Sequence, residues 1–277
     1  MIIVISSKDV YAAKRLQEEA GIMNYELEIM ELKDLITVNF NIPATKADVL
    51  YVRNPYLGGK SDYLPKIVNL ANKFIKDGGR VVDANIAQGD LGLGKWEDYE
   101  KLKSSGISIP ETRLLTSHLP FKVNSFPFII KWIYGMKAKA TFLIRAQEDI
   151  KKIPTNIVSA ELMVQEYIKP DYEYKVITVG YKALPVILRF KVQDSGFGMD
   201  FEKYQTLKTT DAPLICRLAE KASKVLGREL AKVDILEKNG RLYILEVNRF
   251  PGLETFESLT GFNVFKEFLE YLSLYRS

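Results

Sequence analysis

The chain has 277 residues, 47% hydrophobic and 27% charged, with 39 basic against 35 acidic side chains and a net charge of +4. At roughly 100–200 residues per domain this suggests about two globular domains, and it excludes a disordered or low-complexity chain; the balanced charge argues against a nucleic-acid binder. No apolar run approaches the ~18 residues of a membrane helix, and one cysteine (Cys216) with one histidine (His118) excludes an internal disulfide, a cysteine zinc site and a multi-histidine metal centre.

Met1–Ser7 opens on an apolar run without a basic flank and is expected to be a first buried strand rather than a signal peptide. Helical spacing follows over Ala12–Ala20, then strands at Tyr25–Leu32 and Val49–Arg53. Apolar positions Leu64, Ile67, Leu70, Ala71, Phe74 and Ile75 predict a helix over Tyr63–Asp77, stopped by Gly78-Gly79 before a short strand at Val81-Val82. Strands alternating with helices predict a parallel sheet covered on its faces, hence a small α/β domain over residues 1–90.

Between Gln88 and Lys95 the chain carries Gly89, Gly92 and Gly94, which suggests a connection or a close approach to a ligand. A helix is expected over Trp96–Ser104, closed by Gly106, then strands at Phe126–Tyr134 and Leu162–Ile168. Tyr174–Val179 and Leu184–Val192 predict a hairpin around Gly180-Tyr181-Lys182. Pro213–Val225 predicts a helix that buries Cys216 as a small core residue. Ala231–Leu236 and Leu242–Val247 predict a hairpin around Lys238-Asn239-Gly240, and Phe262–Tyr271 a closing amphipathic helix. The second half therefore reads as α+β with antiparallel sheet.

Three features carry chemistry. Asp234, Glu246 and Asn248 lie on the two arms of the last hairpin, and alternation puts Glu246 and Asn248 on one face. Two carboxylates and an amide oxygen suit magnesium, which shares its remaining positions with phosphate oxygens; the plain alternative is a solvated hairpin face. Lys131 interrupts the apolar run Phe126–Tyr134, where a lysine is costly unless its charge is paired or meets a ligand; the alternative is an edge strand with a snorkelling side chain. The following Tyr134–Thr141 holds Gly135, Ala138 and Ala140 with Lys137 and Lys139, suited to a phosphate although poor in glycine. Third, Val164-Gln-Glu-Tyr-Ile168 runs into a loop ahead of Glu173 and Lys175, which alone reads as an ordinary strand end, and Arg189 interrupts the apolar Val186–Phe190.

In this order the residues resemble the ATP-grasp superfamily, and within it RimK-type and LysX-type amino-acid ligases. The stretch Leu245-Glu-Val-Asn-Arg-Phe-Pro-Gly-Leu through Thr260-Gly-Phe-Asn-Val264 is similar to the family's Glu-Val-Asn, Pro-Gly-Leu, Thr-Gly segment. The resemblance implies an α/β N-terminal domain followed by an α+β ATP-grasp fold, two subdomains clamping ATP, with units at 1–90, 91–164 and 165–277. It implies that Lys95 and Lys131 contact ATP phosphates, with Gly135 in the phosphate loop. Gln165, Glu166, Tyr167 and Ile168 would hold adenine, and Glu173 the ribose. Arg189 would stand by the γ-phosphate and the acyl intermediate. Lys175 sits where RimK-type sequences usually have arginine. Asp234, Glu246 and Asn248 would bind Mg2+ (or Mn2+).

The implied function is an ATP-dependent carboxylate–amine ligase working through an acyl phosphate, adding glutamate or another amino acid to a small molecule, a protein or a carrier protein. An ATP-grasp phosphotransferase acting on a hydroxyl, and a non-catalytic ATP-binding regulator, are the alternatives. A cytoplasmic homo-oligomer without nucleic acid or membrane is expected. The loop Arg249–Phe256 and the region of Arg53 are expected to line the acceptor site, with Arg249 either pairing a substrate carboxylate or forming a rim salt bridge.

Overall fold

The computed structural model describes residues 1–34, 42, 45–46, 48–53, 64–91, 94–115, 126–133, 141–153, 161–192 and 199–275. The first apolar run becomes β1 (Ile2–Ser6), buried at every position. That is what a parallel strand with both faces covered requires. It pairs in parallel with β2 (Leu27–Glu31) and β3 (Val49–Val52), and β3 continues to β4 (Arg80–Val81), giving the order β2-β1-β3-β4. Helices α1 (Tyr11–Ile22) and α2 (Leu64–Lys76) belong to the crossovers; α2 buries Ile67, Leu70, Ala71 and Phe74 at helical spacing. This is the parallel α/β unit that strand–helix alternation predicts.

After α3 (Lys95–Ser104) come β5 (Thr112–Leu114), β6 (Phe128–Trp132), β7 (Thr141–Ile144) and β8 (Leu162–Glu166), an antiparallel sheet ordered β5-β8-β6-β7. Strand β6 is interior, so the edge-strand alternative for Lys131 does not apply. The third sheet takes β9 (Tyr172–Val179), β10 (Lys182–Ala183), β11 (Val186–Val192), β12 (Met199–Lys208), β13 (Leu230–Lys238) and β14 (Arg241–Asn248). Its order is β12-β11-β9-β13-β14, with β10 on β9. Helix α4 (Pro213–Val225) starts with proline at its first turn and packs Ile215, Cys216, Ala219 and Ala222 against Val176, Val233 and Ile235.

The chain closes with α5 (Glu254–Thr260) and α6 (Val264–Ser273), whose start is capped by Asn263 Oδ1 accepting from the Lys266 amide at 3.0 Å. Phe265, Phe268, Leu269 and Leu272 of α6 share a core with α1 and with Tyr51; the Tyr51 and Phe268 rings meet edge-on at 5.0 Å. A reciprocal clamp ties the first sheet to the third. Asp83 Oδ1 accepts from the Glu229 amide at 2.6 Å, and Glu229 Oε1 accepts from the Asp83 amide at 2.9 Å. No helix among the described residues is long and apolar enough to cross a membrane.

Strands β7 and β12 and helix α5 were not expected. Strand β12 lies at a sheet edge and carries polar Glu202, Lys203 and Gln205, so it has no apolar alternation to read. The loop expected over Arg249–Phe256 holds for 251–253, but a helix begins at Glu254 and buries Phe256.

Candidate active site

The third sheet presents the site on one face. Cross-strand partners share a face, so the register reads as rows across the sheet. One row holds Tyr243, Leu236, Glu173 and Phe190. The next holds Glu246, Asp234, Lys175 and Leu188. The third holds Asn248, Lys232 and Ile177.

Strict alternation from Tyr243 would turn Glu246 to the opposite face. The register shifts between Asp234 and Ile235, so that Leu245 is an extra residue on β14. This bulge re-aims Glu246 and Asn248 onto the face of Asp234. The freed Leu245 carbonyl accepts from the Tyr99 hydroxyl at 2.6 Å. The bulge is thereby tied to α3.

Lys175 Nζ lies 3.0 Å from Asp234 Oδ1 and 4.0 Å from Glu173 Oε2. Burial pulls the Lys175 ammonium down, but Asp234 and Glu173 outweigh it and hold its pKa above that of an ordinary lysine. Burial raises the Glu173 pKa, opposed by Lys175. Asn248 Nδ2 lies 3.5 Å from Asp234 Oδ2. Lys95, at the start of α3, reaches Glu246 at 3.5 Å.

Lys131 enters from β6. It is 9% exposed and donates to the Tyr99 hydroxyl at 3.2 Å. Among the described residues it has no ion-pair partner. Burial pushes its pKa down to about 8, against the pull of Glu246, Asp234 and Glu173. The second and third sheets thus close on one pocket of charge: cations Lys95, Lys131 and Lys175 against Glu173, Asp234 and Glu246.

Between those sheets the chain passes through Gln165–Ile168. Gln165 is buried and donates to Thr112 Oγ1 at 2.9 Å. Glu166 is exposed, its amide bonded to the Glu111 carbonyl at 2.7 Å. Tyr167 and Ile168 are half-buried beside it.

Two expectations are corrected. Arg189 pairs in register with Tyr174 and Gln205, not with Lys175, so it lies on the opposite face of the sheet from the carboxylates. Its guanidinium bonds Gln205 and stacks over the Tyr172 ring at 4.5 Å. A one-residue offset in a strand reverses the face, which turns Arg189 away from the face of Asp234 and Glu246. Arg249 forms a buried ion pair rather than a rim bridge. It is 3% exposed and held by Asp83 at 3.1 Å, by Asn85 Oδ1 at 3.0 Å and by the Asp90 carbonyl. Gly135 and most of the loop Tyr134–Thr141 lie outside the described residues, as does His118.

Sequence reasoning missed Tyr99, which bridges Lys131 and the bulge, and Lys232, third in the row with Asn248. It also missed Arg228, 2% exposed, which donates to the Val247 carbonyl and binds both oxygens of Asp98 at 2.6 and 2.8 Å. Arg228 fixes α3 to β14. A buried charge in the chain would have been its only sequence signal.

The residues present fit a divalent cation held with phosphate. Asp234 Oδ1 is buried without a hydrogen bond of good geometry. Among the described residues no three His, Cys, Asp or Glu side chains converge into a closed metal cage. Two carboxylates and an amide beside buried lysines are the donor set magnesium takes when phosphate oxygens complete its shell.

Comparison with known proteins agrees with this geometry. A family described as the RimK-like ATP-grasp domain matches residues 94–272. A probable alpha-L-glutamate ligase of Cellvibrio japonicus (strain Ueda107) is 25% identical, covering 94% of this chain and 90% of the relative. One of Serratia proteamaculans (strain 568) is 26% identical, covering 98% and 95%. Among solved structures, the ATP-grasp ligase PsnB complexed with a phosphomimetic variant of its minimal precursor, Mg and ADP superposes with a TM-score of 0.75 at 14% identity, over 100% of this chain and 98% of that one. D-alanine–D-alanine ligase from Bacillus anthracis complexed with ATP gives 0.65 at 17% identity, over 100% and 96%. The N-terminal α/β unit, the clamped carboxylates and the matched segment lead to one assignment: the chain belongs to the RimK-like ATP-grasp family.

Proposed function

We propose that this chain is an ATP-dependent carboxylate–amine ligase that uses L-glutamate, with units at 1–90, 91–164 and 165–277. The observation that carries the reading is Lys131: a buried ammonium with no carboxylate in ion-pair contact among the described residues, facing Glu246, Asp234 and Glu173. A polyphosphate is the ligand that neutralises such a cation beside metal-binding carboxylates. The names of the relatives support glutamate as the amino acid.

In this reading Glu173 meets the ribose and Gln165–Ile168 border the adenine. Lys131, Lys95 and Lys175 neutralise phosphate charge. Asp234, Glu246 and Asn248 would hold Mg2+, which supplies charge neutralisation at the β- and γ-phosphate oxygens when bound. In this reading a carboxylate oxygen of L-glutamate attacks the γ-phosphorus, and the bond to the bridging oxygen breaks, with ADP leaving with the electron pair. The amine then attacks the acyl carbon. The carbon–oxygen bond to phosphate breaks, phosphate departs, and the amine nitrogen loses a proton to solvent. The step needs positioning and charge neutralisation rather than a protein nucleophile, so the scarcity of Cys and His is no obstacle.

Hydroxylamine trapping tests the reading. With MgATP, L-glutamate and hydroxylamine, the enzyme forms glutamyl hydroxamate in proportion to ADP. Phosphotransfer to a hydroxyl would instead release ADP without hydroxamate.

A further inference from the structure

The rows of the third sheet give the site a direction. Along β9 and β13, successive rows on one face are two residues, about 7 Å, apart. Glu173 marks the first row, Asp234 with Lys175 the second, and Lys232 with Asn248 the third. A nucleotide whose ribose lies by Glu173 and whose phosphates lie by Lys175 and Asp234 places its terminal phosphoryl group at the border of the second and third rows. The next residue of β13 beyond the phosphates on that face is Lys232, between Asn248 and Ile177.

Lys232 has properties that the nucleotide does not use. It is half-buried, so its ammonium is reachable. Its strand neighbours Ala231 and Val233 turn to the α4 side and are buried there, which leaves Lys232 on the site face. On that face the residues flanking it, Ile177 and Leu230, belong to the core shared with α1 and α6. Lys232 therefore stands where the third sheet meets the N-terminal unit, past the phosphate row. Among the described residues its ammonium has no hydrogen bond or ion pair.

We propose that Lys232 binds the carboxylate that is to be activated and holds it in line with the terminal phosphoryl group. The proposal rests on the ligase reading above. The ligand class is a carboxylate: an ammonium beside a metal-held phosphate attracts an anionic nucleophile and offsets its repulsion from the γ-phosphate. A neutral hydroxyl acceptor would have no use for it. Lys232 touches the substrate and not the nucleotide, which separates it from Lys95, Lys131 and Lys175.

The test uses the full chain, with L-glutamate as the probe. The variants are Lys232→Met, which keeps the stem without the charge, and Lys232→Arg, which keeps the charge. L-Glutamate is titrated calorimetrically into enzyme saturated with Mg2+ and the non-hydrolysable analogue AMPPNP, and glutamyl hydroxamate formation is followed with MgATP. Affinity for MgAMPPNP is measured separately. Lys232→Met is expected to weaken glutamate binding and raise its KM by about 10- to 100-fold, the worth of one charge-assisted hydrogen bond, with nucleotide affinity kept within about threefold. Lys232→Arg is expected to recover most of the loss.

Unchanged glutamate binding and KM in Lys232→Met would overturn the proposal. So would a parallel loss of nucleotide affinity, which would place Lys232 in the phosphate site. A wild-type enzyme that forms no hydroxamate and binds no glutamate would reject the glutamate-ligase reading before any variant is compared, and the proposal would fall with it.

Discussion

Asp234 and Glu246 face each other across β13 and β14 because Leu245 is one residue too many for a regular ladder. Without that bulge Glu246 would turn to the α4 side, where Val233, Ile235 and Val247 form an apolar core. The face proposed to bind the metal is thus built by an irregularity, and Tyr99 holds it by bonding the Leu245 carbonyl. Glu246→Gln keeps the shape and removes the charge. It is expected to lower Mg2+-dependent turnover by about 10²–10³-fold, with thermal unfolding near that of wild type. Steady-state ADP release against magnesium concentration checks this; normal turnover would remove Glu246 from the site.

The placement of Arg189 gives a contrasting pair. Arg189 lies across the sheet from Lys175, stacked on Tyr172. Lys175→Met is expected to cost about 10²-fold or more in turnover, and Arg189→Gln only a few-fold. Turnover of the two variants measured side by side decides the face. A large loss in Arg189→Gln with Lys175→Met unaffected would reverse the assignment.

Lys131 makes nucleotide binding depend on pH with a defined sign. In the free protein its pKa is about 8, depressed by burial. Phosphate oxygens favour the ammonium and return the pKa toward the ordinary value of about 10.4. Binding is then strongest below pH 8 and weakens as pH rises from about 8 toward 10, with proton uptake in that window. Calorimetry of MgAMPPNP binding in buffers of different ionisation enthalpy is expected to show uptake near pH 8 and little at pH 6. Lys131→Met is expected to abolish the uptake.

Asp83 and Glu229 bind each other's amides, and Asp83 also pairs with buried Arg249. Removing Asp83 takes from buried Arg249 its ion pair at 3.1 Å and from the Glu229 amide its acceptor. Asp83→Ala is expected to cost about 3–5 kcal/mol in urea unfolding. Burial, opposed by Arg249, raises the Asp83 pKa to about 7. The folded state therefore holds this proton longer than the unfolded one. Its contribution is full below pH 4 and is lost as pH rises to about 7.

Much of this was legible because it rests on local periodicity. The parallel α/β start, the Asn239-Gly240 hairpin and helix α4 follow from patterns within single segments. The cluster of Asp234, Glu246, Asn248 and Lys131 was legible because polar groups at those places are costly without a ligand. Arg189 was misplaced because its face depends on the register of β11 against β9, which no local pattern encodes. Arg249 looked available because its partners Asp83, Asn85 and Asp90 are more than 150 residues away in the chain. Tyr99 and Lys232 carried no signal, since an ordinary helix tyrosine and an ordinary strand lysine join the site only through what the sheets bring beside them.

The central claim is that a carboxylate is activated by phosphoryl transfer. The most direct measurement uses L-glutamate with 18O in its carboxylates, MgATP and enzyme, and follows the oxygen by mass spectrometry of the released phosphate. The account predicts one 18O carried into phosphate for each amide bond formed. Amide formation with unlabelled phosphate would contradict it.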